Sequence, residues 1–147
     1  HIEEFHLKKP VVLIIDGQGG RIGKLLSEQL SQKSDQIELI CIGTNSIATS
    51  TMMKAGSARG ATGENAVVVN CRKADFIIGP IGIAIADSML GEITPAMACA
   101  VGQSSAVRLL IPFNHCGSVI VGVGTASIKD LIAQTITELE RHLGSWS

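Results

Sequence analysis

Two clusters in this sequence combine residue types and spacing that could do chemistry. The first is Asp16-Gly17-Gln18-Gly19-Gly20-Arg21-Ile22-Gly23, which follows the apolar run Val11-Val12-Leu13-Ile14-Ile15. Glycines so placed let a chain turn tightly and bring its backbone against an anion. Where a helix opens at the same point, its free N–H groups and its dipole favour a phosphate. Gly17 and Gly20 would serve the turn, Gly23 the close packing of helix on sheet, and the stretch Gln18 to Ile22 would line the ligand. A plain strand-to-helix turn is the structural alternative. Asp16 is the odd member, because a carboxylate there would repel a neighbouring pyrophosphate. It could instead bind a metal, hold a ligand hydroxyl, act in proton transfer or pin the loop. The second cluster is Asn114-His115-Cys116. His115 is a candidate acid, base or ligand, although a lone loop histidine is more often structural. Cys116 is not a nucleophile by adjacency alone.

These clusters need elements to position them. Apolar runs read as strands: Val11 to Ile15, which has no alternation and reads as buried on both faces, then Ile37 to Ile42, Asp75 to Ile78, Val107 to Ile111 and Ser118 to Val123. Between them the period changes to helical. Ile22, Leu25, Leu26 and Leu30 share one face after Arg21, and Ile128, Leu131, Ile132, Ile136 and Leu139 share another near the end. Ile47 to Ala55, Glu64 to Lys73, Ile81 to Leu90 and Ala96 to Val101 are read as further helices. Thr94-Pro95 opens the last of these with a capping side chain and a proline at the first helical position. Gly56 to Gly63 reads as a glycine-rich loop. Repeated strand–helix alternation predicts an α/β fold, a three-layer Rossmann-like or flavodoxin-like domain with a mainly parallel sheet of about five strands. A flavodoxin-like order such as 2-1-3-4-5 is expected. Residues 1–10 form an N-terminal extension and residues 11–143 a single domain.

In such a sheet ligands bind outside the carboxyl ends of the strands. Gly43-Thr44-Asn45-Ser46 and Gly79-Pro80-Ile81 therefore join the glycine turn as candidate binding residues. The second strand ends without an acid to grip an adenosine ribose. Its small polar residues could cradle a 2′-phosphate with Arg59 or Arg21, or could simply cap a helix. Glu64, Asn65, Asp87 and Glu92 are scarce polar groups in apolar surroundings and read as helix caps or solvated ends. No pair of residues stands at metal-ligand spacing, so no metal site is expected.

Composition narrows the partners. A net charge of −1 supplies no field for nucleic acid or an anionic membrane. Tyr is absent and aromatics are 3%, which removes base-stacking platforms and the Tyr acid of many nicotinamide reductases. Hydrophobic residues at 46% against 17% charged imply a chain that hides much of its surface. One of the apolar stretches Ile83 to Ala86 and Ala96 to Val101 is expected to supply a homodimer face, with burial inside the monomer as the alternative. Cys41, Cys71, Cys99 and Cys116 read as reduced, buried hydrophobes. The opening residues lack an apolar leader, so a cytoplasmic protein is expected.

The glycine turn resembles the Gly-x-x-Gly-Arg-Met-Gly stretch of extended short-chain dehydrogenases and dihydrodipicolinate-type reductases. That likeness implies NAD or NADP as cofactor. Ile-Asp-Gly-Gln-Gly-Gly, Ile-Gly-Thr-Asn, Ala-Thr-Gly-Glu-Asn-Ala, Gly-Pro-Ile-Gly-Ile and Ser-Met-Leu-Gly-Glu-Ile-Thr-Pro together resemble a family of short bacterial proteins, found largely among anaerobic Firmicutes and grouped as a domain of unknown function. This resemblance spans roughly Val11 to Leu139 and implies a small Rossmann-like domain without implying an activity. The leading expectation is a domain that binds a small phosphate-bearing ligand, NAD(P) preferred; if it is an enzyme, an NAD(P)-linked oxidoreductase. One alternative is a non-catalytic ligand-sensing or regulatory module. Another is a small phosphoester lyase or isomerase similar to methylglyoxal synthase, with Asp16 moving protons.

Overall fold

The computed structural model describes residues 8–57, 59–113 and 117–146. Five parallel strands form one sheet: β1 (Val11–Asp16), β2 (Glu38–Gly43), β3 (Arg59–Thr62), β4 (Phe76–Pro80) and β5 (Val107–Ile111), in the order β3-β2-β1-β4-β5. The connecting helices are α1 (Arg21–Leu30), α2 (Ser46–Lys54), α3 (Glu64–Lys73) and α4 (Pro95–Gln103), and α5 (Ile128–Leu143) closes the chain. The first four expected strands keep the expected neighbours, 2-1-3-4, and β3 adds an edge beside β2, which makes the full order the doubly wound, Rossmann one.

The central strands bury both faces because alternate residues feed two cores. Leu13, Ile15, Ile40, Ile42 and Ile77 pack with Val67 and Cys71 of α3 and Met97 and Val101 of α4. Val12, Ile14, Cys41, Phe76 and Ile78 pack with Ile22, Leu26 and Leu30 of α1, Met52 of α2, and Ile132 and Leu139 of α5. A strand covered on both sides has no polar face to show, which is why its sequence does not alternate. Cys41 and Cys71 are buried and free, and burial pushes the Cys71 thiol up to about 11. Cys99 is exposed, against expectation. Of the stretches expected to supply a homodimer face, Ile83, Met97 and Val101 lie inside the core, whereas Ala86, Ala96 and Cys99 are exposed.

Three elements differ from the sequence reading. The glycine-rich loop contains β3, whose four residues are all exposed. It pairs with β2 from Ile40↔Arg59 to Gly43↔Thr62, so the neighbouring edge, not local propensity, makes it a strand. Ser118 to Val123 is not a strand. Val119 and Val121 are 85% and 93% exposed, and a turn with Gly122 at φ +86° interrupts the run. Ile81 to Leu90 is not an α-helix: a 3-10 turn over Ile81–Ala84 leads into an irregular loop. There Asp87, Met89 and Leu90 take φ of 66°, 56° and 56°, followed by Gly91 at 90°. Buried Ile83, Met89 and Ile93 anchor that loop, which explains the apolar sequence without a helix.

Candidate functional site

The sheet reverses direction at β1. Strands β2 and β3 lie to one side and β4 and β5 to the other, so the crevice above the carboxyl end of β1 is the topological switch point. The glycine turn stands there. Gly20 takes a left-handed conformation, φ +73°, as the residue capping α1, and its amide donates to the Gly17 carbonyl at 2.9 Å. A Cβ on Gly20 would also lie 3.0 Å from the Ala48 Cα of α2. On Gly17 it would lie 2.6 Å from the Thr44 hydroxyl and 2.7 Å from the Met89 sulfur. Gly23 has Met52 of α2 against it, so it admits a neighbouring helix as well as the sheet. Gly19 differs from all three. It is exposed, its φ is not left-handed, and a Cβ there would meet nothing within 4 Å.

Asp16 pins the turn. Its carboxylate is 4% exposed and accepts from the Gly17 amide at 2.8 Å and the Gly23 amide at 2.7 Å. Desolvation raises its pKa above the ordinary value of 3.8, and the amides of Gly23, Gly17 and Ile22 offset part of that rise.

The sequence reading treated Glu92 as a helix-end residue, yet it reaches the same turn from the β4–α4 loop. Its Oε1 accepts from the Gln18 amide at 2.8 Å, the Thr44 hydroxyl at 2.6 Å and the Asn45 side-chain amide at 2.9 Å. Burial alone would raise Glu92, but Thr44, Gln18 and Asn45 hold it below the ordinary 4.5. Asn45 also donates to the Gln18 carbonyl and caps α2 by accepting from the Ala48 amide, both at 2.9 Å. Ser46 begins α2 and is exposed. Gln18, Thr44, Asn45 and Glu92 thus form one polar knot across the ends of β1 and β2. The only clue in the sequence is one of two acids, with Asp87, among the apolar residues of its loop.

Glu64 and Thr94 extend the rim. The Thr94 hydroxyl donates to Glu64 at 2.6 Å, tying the start of α3 to the start of α4. Gly79 and Pro80 are residues of β4 rather than of a loop. A Cβ on Gly79 would strike the Ile15 carbonyl of β1, so a tight strand contact accounts for it. Ile81 follows, half-buried. Arg21 opens α1 on the exposed side of the turn, with its guanidinium carbon 6.0 Å from the centre of the Phe113 ring. Arg59 is not at this rim; it pairs with Glu38 at the amino end of β2. His115, with Asn114 and Cys116, lies outside the described residues. No group of three metal-ligating side chains occurs among the described residues.

The larger grooves lie elsewhere. One of about 620 Å³ runs between α1 and α5, lined by Leu25, Ile128, Ile132 and Ile136. Another, of about 610 Å³, follows β5 and α5. Both carry charged as well as apolar groups, Arg21, Glu28 and Lys129 in the first and Arg108 and Glu138 in the second, whereas at the switch point Met89 and Glu92 lie close against Gly17.

A family model described as a domain of unknown function matches residues 11–144. The chain belongs to the DUF3842 family. No curated protein matches this DUF3842 chain. Two solved structures are similar to it. One is a universal stress protein in complex with cAMP, at 17% identity and TM-score 0.42, with 71% of this chain and 98% of that one covered. The other is a dodecameric FMN-dependent UbiX-like decarboxylase from Escherichia coli O157:H7, at 16% identity and TM-score 0.43, with 92% of this chain and 76% of that one covered. No helix among the described residues of the DUF3842 domain is long and apolar enough to cross a membrane.

Proposed function

We propose that this DUF3842 domain binds a nucleotide-type ligand at the switch point, with NAD(P) the preferred class and a phosphate seated over Gly19 to Arg21. The observation that carries this reading is Gly19. Gly17, Gly20 and Gly23 each have a conformational or packing reason within the molecule, and Gly19 has neither. A ligand lying against the backbone supplies the missing reason. In the adjoining first turn of α1 the Gly23 amide is taken by the Asp16 carboxylate, and Arg21 adds a full positive charge on the exposed side of the turn.

The geometry supports binding more than turnover. Asp16, the proton carrier of the lyase or isomerase reading, is buried with both oxygens on backbone amides, the arrangement of a turn pin. A ligand-sensing role fits the same site, because the β4–α4 loop carries Glu92 directly to the binding turn and would report occupancy to α4. Calorimetric titration with NADH and with NADPH tests the proposal. Saturable binding of at least one, weakened by Gly19→Val, is expected; heat at the dilution level with millimolar ligand would remove it.

A further inference from the structure

The β2 end of a dinucleotide site usually carries an acid that grips the ribose hydroxyls. Here β2 ends in Gly43-Thr44-Asn45, and no acid follows in the chain. The structure brings one to that place from another element. Glu92 lies against Thr44 and Asn45, the residues immediately beyond β2, although it is separated from them by more than forty positions of chain. All three of its hydrogen bonds fall on Oε1. Among the described residues, Oε2 accepts from none.

We propose that Glu92 determines the sugar chemistry of the ligand: its second oxygen accepts from the vicinal hydroxyls of an unmodified ribose, and its charge rejects a ribose bearing a 2′-phosphate. This rests on the reading of the rim as a nucleotide site.

The charge layout around the crevice carries the inference. Glu92 sets a carboxylate over the ends of β1 and β2, held there by Gln18, Thr44 and Asn45. A positive group, Arg21, stands on the other side of the turn, toward Phe113. A ligand with one anionic part and one hydroxyl-bearing part has a single orientation that satisfies both: phosphate toward Arg21, hydroxyls toward Glu92. Hydroxyls donating to a carboxylate make short, charge-assisted bonds. A phosphate in their place would face a carboxylate it cannot donate to. Nor is the cation that could compensate available, since Arg59 is paired with Glu38 at the far end of the strands.

A ligand phosphate displacing Glu92 from the knot is the competing outcome. Three donors, one a backbone amide, hold the carboxylate in place, and any displacing anion competes against a group tethered on the same chain.

The variant that separates these outcomes is Glu92→Gln. It retains an acceptor oxygen for Gln18, Thr44 and Asn45 but carries no charge. The readout is the fluorescence of reduced nicotinamide as NADH or NADPH is titrated with protein, with urea unfolding as a check on the fold. The wild-type protein should bind NADH at least about tenfold more tightly than NADPH, and Glu92→Gln should narrow the ratio to within about threefold. Equal affinities in the wild type, or an unchanged ratio in the variant, overturn the role of Glu92 while leaving the site standing. Tighter NADPH binding by Glu92→Gln with NADH binding unchanged supports charge rejection but overturns the hydroxyl contact. Binding of neither dinucleotide by the wild type overturns the site and the Glu92 assignment together.

Discussion

At the scale of single residues, the turn separates glycines that the fold requires from one that it does not. Gly20→Ala places a Cβ in a left-handed conformation and against the Ala48 backbone, and should cost about 1–3 kcal/mol in urea unfolding. Gly19→Ala meets open space and should stay within about 0.5 kcal/mol of wild type. Its effect belongs to the ligand, with affinity falling about tenfold if a phosphate lies on that backbone. A large stability loss at Gly19 would contradict this division. The carboxylates can be separated by pH. Glu92 is held below its ordinary 4.5, so its contribution to stability is present above that pH and is lost as pH falls through the lower folded value. Asp16 is held above 3.8, so its contribution has the opposite sign, declining as pH rises through the folded value. The stability difference between wild type and Glu92→Gln, about 1 kcal/mol at neutral pH for a partly exposed charged acceptor, should therefore shrink on acidification below pH 4.5. A gap that widens there would show that Glu92 is not the anionic partner in the knot.

At the scale of elements, the sequence was legible wherever burial wrote the pattern. Helix α3 spans Glu64–Lys73 as its chain-crossing role required, despite the strand-favouring Val67-Val68-Val69. Strand β5 spans Val107–Ile111, and Thr94 caps α4 through its side chain, as Thr94-Pro95 implies. The misreadings came where a partner decides structure. Arg59-Gly60-Ala61-Thr62 lacks strand propensity and becomes β3 only because β2 offers an edge. Ser118 to Val123 has the propensity, yet no strand in the described sheet takes it up. Within Ile81 to Leu90, Ile83 and Met89 are buried in the core while Leu90 is 96% exposed, and left-handed residues turn the chain back toward the rim. The same limit hid Glu92. The glycine turn is local and could be read directly, whereas a carboxylate arriving from the β4–α4 loop is a product of topology.

At the scale of the whole molecule, stability resides in two cores on opposite faces of the sheet, and the proposed ligand site at the rim where its order reverses. Phe76 is 2% exposed and packs into the core beneath α1 and α5. Phe76→Ala should cost about 3–5 kcal/mol, whereas Val121→Ala should lie within about 0.5 kcal/mol of wild type. A core-sized loss at Val121 would mean that its segment is part of the folded sheet after all. The claim on which the function rests is that the amides around Gly19 meet an anionic ligand. The most direct measurement is amide chemical-shift mapping of isotopically labelled protein during an NADH titration. The account predicts that the largest saturable shifts fall on Gln18, Gly19, Gly20 and Arg21, with smaller ones at Thr44, Asn45 and Glu92. Shifts confined to the groove between α1 and α5, or none at millimolar NADH, would contradict it.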